Sequence, residues 1–71
     1  MKLIVNGNDI ELNNELTVSG LLIAQEVKMP EMVSVELNGQ ILKRSEFEST
    51  TLNQDDKVEF LYFMGGGNVI N

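Results

Sequence analysis

The sequence predicts an α+β domain, a mixed β-sheet with one helix packed across one face. Three observations predict it. Two Asn-Gly dipeptides, Asn6-Gly7 and Asn38-Gly39, each sit between strand-like runs; a stretch with helical spacing lies between those hairpins; and an alternating run closes the order. With 71 residues, 42 % of them apolar, the chain suffices for one small domain and is too regular for disorder. A core of this size, with neither disulfide nor metal to support it, gives only a small net stability. Marginal folding, or folding helped by a partner, is expected.

Each element has a local reason. Lys2 to Asn6 is aliphatic and β-branched, and Asn6-Gly7 tolerates the positive φ of a tight hairpin turn. Asp9 to Leu12 is the returning strand, with Ile10 and Leu12 on one face. Asn13, Asn14 and Glu15 form a polar loop. Thr17 is then a good N-cap for a helix that presents Val18, Leu21 and Leu22 to one side. Gly20 weakens that helix, Lys28 suits its C-terminal end, and Pro30 stops it; Ile23 falls off the apolar face. Val33, Val35 and Leu37 alternate with polar residues, Asn38-Gly39 turns the chain, and Gln40 to Leu42 returns. Lys43 to Asn53 is irregular, with Phe47 and Leu52 expected in the core from a loop or a single helical turn. Gln54-Asp55-Asp56 is a further turn. Lys57 to Phe63 is the last strand, with Val58, Phe60 and Tyr62 on one face and Glu59, Leu61 and Phe63 on the other. The order ββαββ(loop)β lets the first and last strands pair in parallel at the centre, with the hairpins on either side and the C-terminus leaving the sheet as a free tail.

The absences narrow the chemistry. The chain has no Cys and no His, which excludes thiolate nucleophiles, disulfides, zinc-thiolate sites and Ser-His-Asp or Cys-His catalysis. No nucleophile-base pair is in view, so a self-sufficient enzyme is not expected. The formal net charge of −6 repels phosphate backbones, against nucleic-acid binding, and suits docking on basic partners. No apolar run approaches membrane-spanning length, and the cytoplasm is the expected compartment.

The chemistry-bearing feature follows the last strand. Met64-Gly65-Gly66-Gly67 ends regular structure. A frayed terminus would look the same. The alternative is a thread without side chains that an enzyme can enclose in a narrow channel to reach the terminal carbonyl, an approach only glycine permits.

At this point the chain resembles a family. The first Asn-Gly hairpin, the helix opening Thr17-Val18-x-x-Leu21-Leu22, the strand and turn Val33-x-Val35-x-Leu37-Asn38-Gly39, and above all Asp56-x-Val58-Glu59-Phe60-x-Tyr62-Phe63-Met64-Gly65-Gly66-Gly67 are similar to the ThiS-type sulfur carriers of thiamine biosynthesis, which are ubiquitin-like β-grasp proteins. The resemblance runs from the start of the chain to Gly67. It implies a non-catalytic carrier that binds no cofactor itself. An adenylating enzyme spends ATP to activate the C-terminal glycine, Gly67 or, with an earlier cut, Gly66, and a sulfur donor displaces AMP to leave a thiocarboxylate. Gly65 and Gly66 thread the channel. The implied acceptor is thiazole synthase, or a sulfhydrylase in methionine or cysteine assimilation. The same fold and tail occur in the molybdopterin-type carrier MoaD and in ubiquitin-like modifiers, which join their glycine to lysine; a β-grasp interaction module with an idle tail is a third alternative.

One departure matters. The chain continues past the glycines with Asn68-Val69-Ile70-Asn71, which leaves Gly67 in a peptide bond. The resemblance then implies a processing protease, and a division into a β-grasp domain over 1–63, a flexible glycine tail over 64–67 and an extension over 68–71 that is removed. Ile4, Leu61 and Phe63 on the outer sheet face, with Met64 beside the tail, are the candidate partner-docking residues. Asp55, Asp56 and Glu59 could meet basic groups on a partner. Glu46 and Glu48 give no reason to assign a metal.

Overall fold

The structure of the protein is a computed structural model that describes residues 1–64 and 68–70. Its strands are β1 (Lys2–Val5), β2 (Asn8–Glu11), β3 (Val33–Leu37), β4 (Gln40–Ile41), β5 (Lys57–Met64) and β6 (Asn68–Ile70), with one α-helix, α1 (Val18–Ala24), between the two hairpins. They form a mixed sheet in the order β2-β1-β5-β3-β4, with β6 paired to β5 off that path. The expected parallel pair stands at the centre: Ile4 is opposite Lys57 and Val5 opposite Val58. Each hairpin flanks it on one side, antiparallel.

Both Asn-Gly dipeptides turn as their chemistry requires. Asn6 and Gly7 have φ 50 and 82, Asn38 and Gly39 have φ 50 and 87, so both central residues of each turn are left-handed, and the turn twists with its strands. The helix is capped at its start by Thr17, whose hydroxyl accepts the Gly20 N–H at 3.1 Å. Val18, Leu21 and Leu22 are buried against Leu3, Val5, Val33, Val35, Val58 and Phe60. Phe47 and Leu52 join them from the irregular segment after β4, beside a 3-10 turn over Arg44–Glu46. Ile23, off the apolar face, is 79 % exposed.

Three sequence expectations are corrected. The helix does not reach Lys28. It ends at Ala24, where Glu26 turns left-handed at φ 53 and the Glu26 and Val27 N–H groups donate to the carbonyls of Ile23 and Leu22, each at 3.0 Å. This is a Schellman closure built on glutamate instead of glycine, and Val27 folds back onto the core. The strands also shift by a residue at their ends: β2 and β4 stop at Glu11 and Ile41, and β5 runs on to Met64. Finally, the chain does not simply leave the sheet after β5. Asn68–Ile70 returns antiparallel along it, with Tyr62 opposite Ile70, Phe63 opposite Val69 and Met64 opposite Asn68. A strand edge with open N–H and C=O groups is a template for pairing, and Val69 and Ile70 are β-branched. Residues 65–67 and Asn71 lie outside the described residues. No described helix is long and apolar enough to cross a membrane.

Candidate functional site

The candidate site is the exit of β5. That strand enters the sheet through a turn held in place by side-chain and backbone hydrogen bonds. Lys2 N–H donates to Gln54 Oε1 at 2.9 Å, Asn53 N–H to Asp56 Oδ2 at 2.8 Å, and Asp55 N–H to the Lys2 carbonyl at 2.7 Å. The two turn asparagines then grip β5 from opposite edges. Asn6 Oδ1 accepts the Phe60 N–H at 2.9 Å, and Asn38 Oδ1 accepts the Lys57 N–H at 2.9 Å while its amide donates to Asp56 Oδ1 at 2.9 Å. The sequence marks these asparagines only as turn formers. Their tertiary role has no local signal.

With its start fixed, β5 carries Val58 and Phe60 in the core and Tyr62 packed against it, and sends the chain out of the middle of the sheet at Met64. The candidate residues Gly65, Gly66 and Gly67 follow directly but lie outside the described residues. Of the candidate docking residues, Ile4 and Leu61 are half-buried on the face away from the helix, where strand alternation puts them. The structure does not bring them together. Ile4 stands beside Lys57, Leu61 beside Ser34, and Glu59 interrupts the face between them. Phe63 and Met64 are placed by backbone register alone, opposite Val69 and Asn68.

The acidic candidates divide. Asp56 uses both carboxylate oxygens in the turn that leads into β5 and so serves the fold, whereas Asp55 makes an exposed pair with the Lys2 ammonium at 3.5 Å. Glu59 is different: it is directly opposite Glu36, whose other cross-strand partner is Ile41. Like charges in that position repel. The row Glu59, Glu36, Ile41 runs across the outer face, and Ile41, 60 % exposed, is an apolar surface residue with no signal of its exposure in the local sequence. Glu46 is spent locally, its Oε1 accepting the Lys43 N–H at 2.8 Å.

The opposite side of the molecule holds a wide groove of about 640 Å³ between α1 and the segments at Pro30 and Phe47. Arg44 shapes it. Its guanidinium donates to the Pro30 carbonyl at 2.9 Å and the Val33 carbonyl at 2.7 Å and lies 5.3 Å from the Phe47 ring centre, tying the 3-10 turn at Pro30–Met32 to the sheet. No β5 residue lines this groove.

Comparison with known proteins bears on the exit of β5. The sequence model of the ThiS family matches residues 3–67, up to and including the third glycine. A solved structure of the thiamine biosynthesis protein ThiS from Geobacter metallireducens superposes with a TM-score of 0.87 at 49 % identity, covering 94 % of this chain and 100 % of that one. Two proteins called thiazole synthase are also similar. The one from Paramagnetospirillum magneticum is 35 % identical over 68 residues, 96 % of this chain and 21 % of its own length; the one from Magnetococcus marinus is 34 % identical over 67 residues, 94 % and 20 %. The chain thus spans about a fifth of the length of these relatives.

Proposed function

This chain belongs to the ThiS family, and from that premise we propose that it is a cytoplasmic sulfur carrier for thiamine thiazole formation, loaded at Gly67 once the residues after it are removed. The observation that carries the reading is the position of the glycine run, immediately after a central strand whose start is gripped on both edges. A rigid domain then presents a thread without side chains.

The chemistry follows from the carboxylate. A free C-terminal carboxyl group has a pKa of about 3.5 and is an anion at neutral pH, which resists nucleophiles. An activating enzyme must first join it to AMP from ATP, releasing pyrophosphate. Sulfide, supplied as HS− by a donor, then attacks the acyl carbon, and the new C–S bond replaces the C–O bond to AMP, which leaves with its electron pair to give the glycyl thiocarboxylate. The carrier brings no nucleophile or base, in keeping with a chain that has no Cys or His. Its part is to be recognised and to keep Gly65 and Gly66 narrow enough for a channel. The thiazole synthases that match nearly all of this chain support a thiazole synthase as acceptor. A sulfhydrylase of methionine or cysteine assimilation, served by a processing protease, is the second acceptor that the family resemblance implies.

The test is the intact mass of the protein purified from its native host without a C-terminal tag. Loss of Asn68 to Asn71, with one sulfur in place of one oxygen, is the expected result. Isopeptide conjugates to lysine would replace the carrier with a protein modifier, and the untrimmed chain alone would favour an interaction module with an idle tail.

A further inference from the structure

The edge of β5 that faces β1 is covered in three successive pieces. β1 pairs with Lys57 and Val58 through Ile4 and Val5, and the Asn6 side chain then takes the Phe60 N–H at 2.9 Å. Beyond that point β1 has turned into its hairpin, and Asn68–Ile70 covers the edge at Tyr62 to Met64. The Phe60 bond fixes the geometry: its N–H faces β1, and alternation along a strand turns the N–H and C=O of Tyr62 and Met64 to that same side. The other flank of Tyr62 already belongs to Val33 of β3.

We propose that the β5 edge at Tyr62 and Met64 is a strand-acceptor site for an extended segment of a partner protein, and that Asn68–Ile70 occupies it in cis, closing the full chain to that partner. Strand addition draws its affinity from main-chain hydrogen bonds, so the edge has no need of special side chains and the extension no need of special sequence. Register adds a second effect. It sets Asn68 directly opposite Met64, whereas a chain running straight out of β5 would put those residues roughly 13 Å apart. The pairing that fills the edge is therefore incompatible with a straight exit from the sheet, the path that entry into a channel demands. The partner is the protein that takes up the glycine run; this half rests on the carrier reading, and the cis occupancy does not.

Ile70→Pro separates pairing from chain length. Ile70 is opposite Tyr62, whose polar groups face it, so proline there removes the N–H donor to β5 while every other residue of the extension stays. The full chain, the Ile70→Pro chain and a chain ending at Gly67 are compared by amide hydrogen exchange and by calorimetric binding to the ATP-dependent activating enzyme of the same organism. In the two altered chains Tyr62 and Met64 should exchange at least about tenfold faster, with Val58 and Phe60 unchanged, because only a local opening is affected. Both altered chains should bind the enzyme at least about tenfold more tightly than the full chain. Equal exchange in all three overturns the cis occupancy. Equal affinities overturn the closure. Absence of binding by every form, with the exchange difference intact, removes this partner together with the carrier reading and supports the cis strand alone.

Discussion

At its start, from Lys57 to Phe60, β5 has β1 on one edge, β3 on the other, an asparagine side chain reaching it from each hairpin turn, and two fully or nearly buried side chains beneath it. At its end, from Tyr62 to Met64, it has one β3 residue opposite Tyr62 and the three residues of β6. One strand thus carries two environments. The first holds the domain together; the second pairs one edge only with Asn68–Ile70 and leads into the glycine run. The proposed carrier function needs both in series, because an end handed to a partner can open freely only if the fold is secured elsewhere.

The sharpest way to break this comparison is to truncate the buried side chain at the secured end. Phe60 is 4 % exposed at the centre of the core, and Phe60→Ala should cost about 3–5 kcal/mol through lost burial and the cavity left behind. For a domain this small, that is comparable to its entire stability, and the variant should be largely unfolded by circular dichroism at 25 °C, where RT is about 0.6 kcal/mol. Leu61→Ala, one residue on and half-buried on the other face, should shift the urea midpoint by less than about 1 kcal/mol equivalent. Similar losses at both positions would mean that the two faces of β5 share the load equally and that the core side of the strand does not dominate.

Much of the secured end is legible in the sequence, because its signals are local. Asn6-Gly7 and Asn38-Gly39 announce turns with positive φ, Thr17 announces a helix start, and the alternation of Val58, Phe60 and Tyr62 announces which face is buried. What escapes is whatever depends on a distant partner or on a residue acting against its preference. Nothing near Asn6 says that its side chain will meet Phe60, 54 positions later. Nothing in Glu26 says that it will take the left-handed closure usually left to glycine, which is why the helix is expected to run toward Lys28 and does not. Asn68, Val69 and Ile70 read as a remnant after three glycines, since a three-residue strand is defined only by the edge it finds. The docking residues show the same division: Ile4 and Leu61 share a face, as alternation requires, while their separation by Glu59 and the exposure of Ile41 come from strand register.

The two asparagine grips sharpen the comparison at an intermediate scale. Asn6→Ala loses the acceptor for a partly buried N–H and places a side chain with Cβ, without local compensation, at φ 50; the two effects together should cost about 2 kcal/mol. Asn6→Gly keeps the turn and loses only the bond, at about 1 kcal/mol. Asn38→Gly should cost less than Asn6→Gly, because the Lys57 N–H is exposed and can turn to water. Urea denaturation of the three variants decides the order. Equal costs for the two glycine variants would show that burial does not distinguish the two grips.

The smallest effect on folding is expected beyond the exit, and it is the most informative about function. Gly66→Val, made in a chain that ends at Gly67, adds an isopropyl group to a residue that follows the last strand contact to β3, and its folding stability should change by less than about 0.5 kcal/mol. ATP-dependent adenylation should nonetheless be abolished, since a channel shaped around glycine has no room for a β-branched side chain. The measurement is pyrophosphate release by the activating enzyme, run beside thermal unfolding of the same sample. A variant that is adenylated at the normal rate would show that the glycines are not threaded, and would return the exit of β5 to the status of an ordinary loose end. A variant that loses adenylation only because it unfolds would instead extend the secured part of the molecule past Met64, and the division of β5 into a holding end and a presenting end would have to move with it.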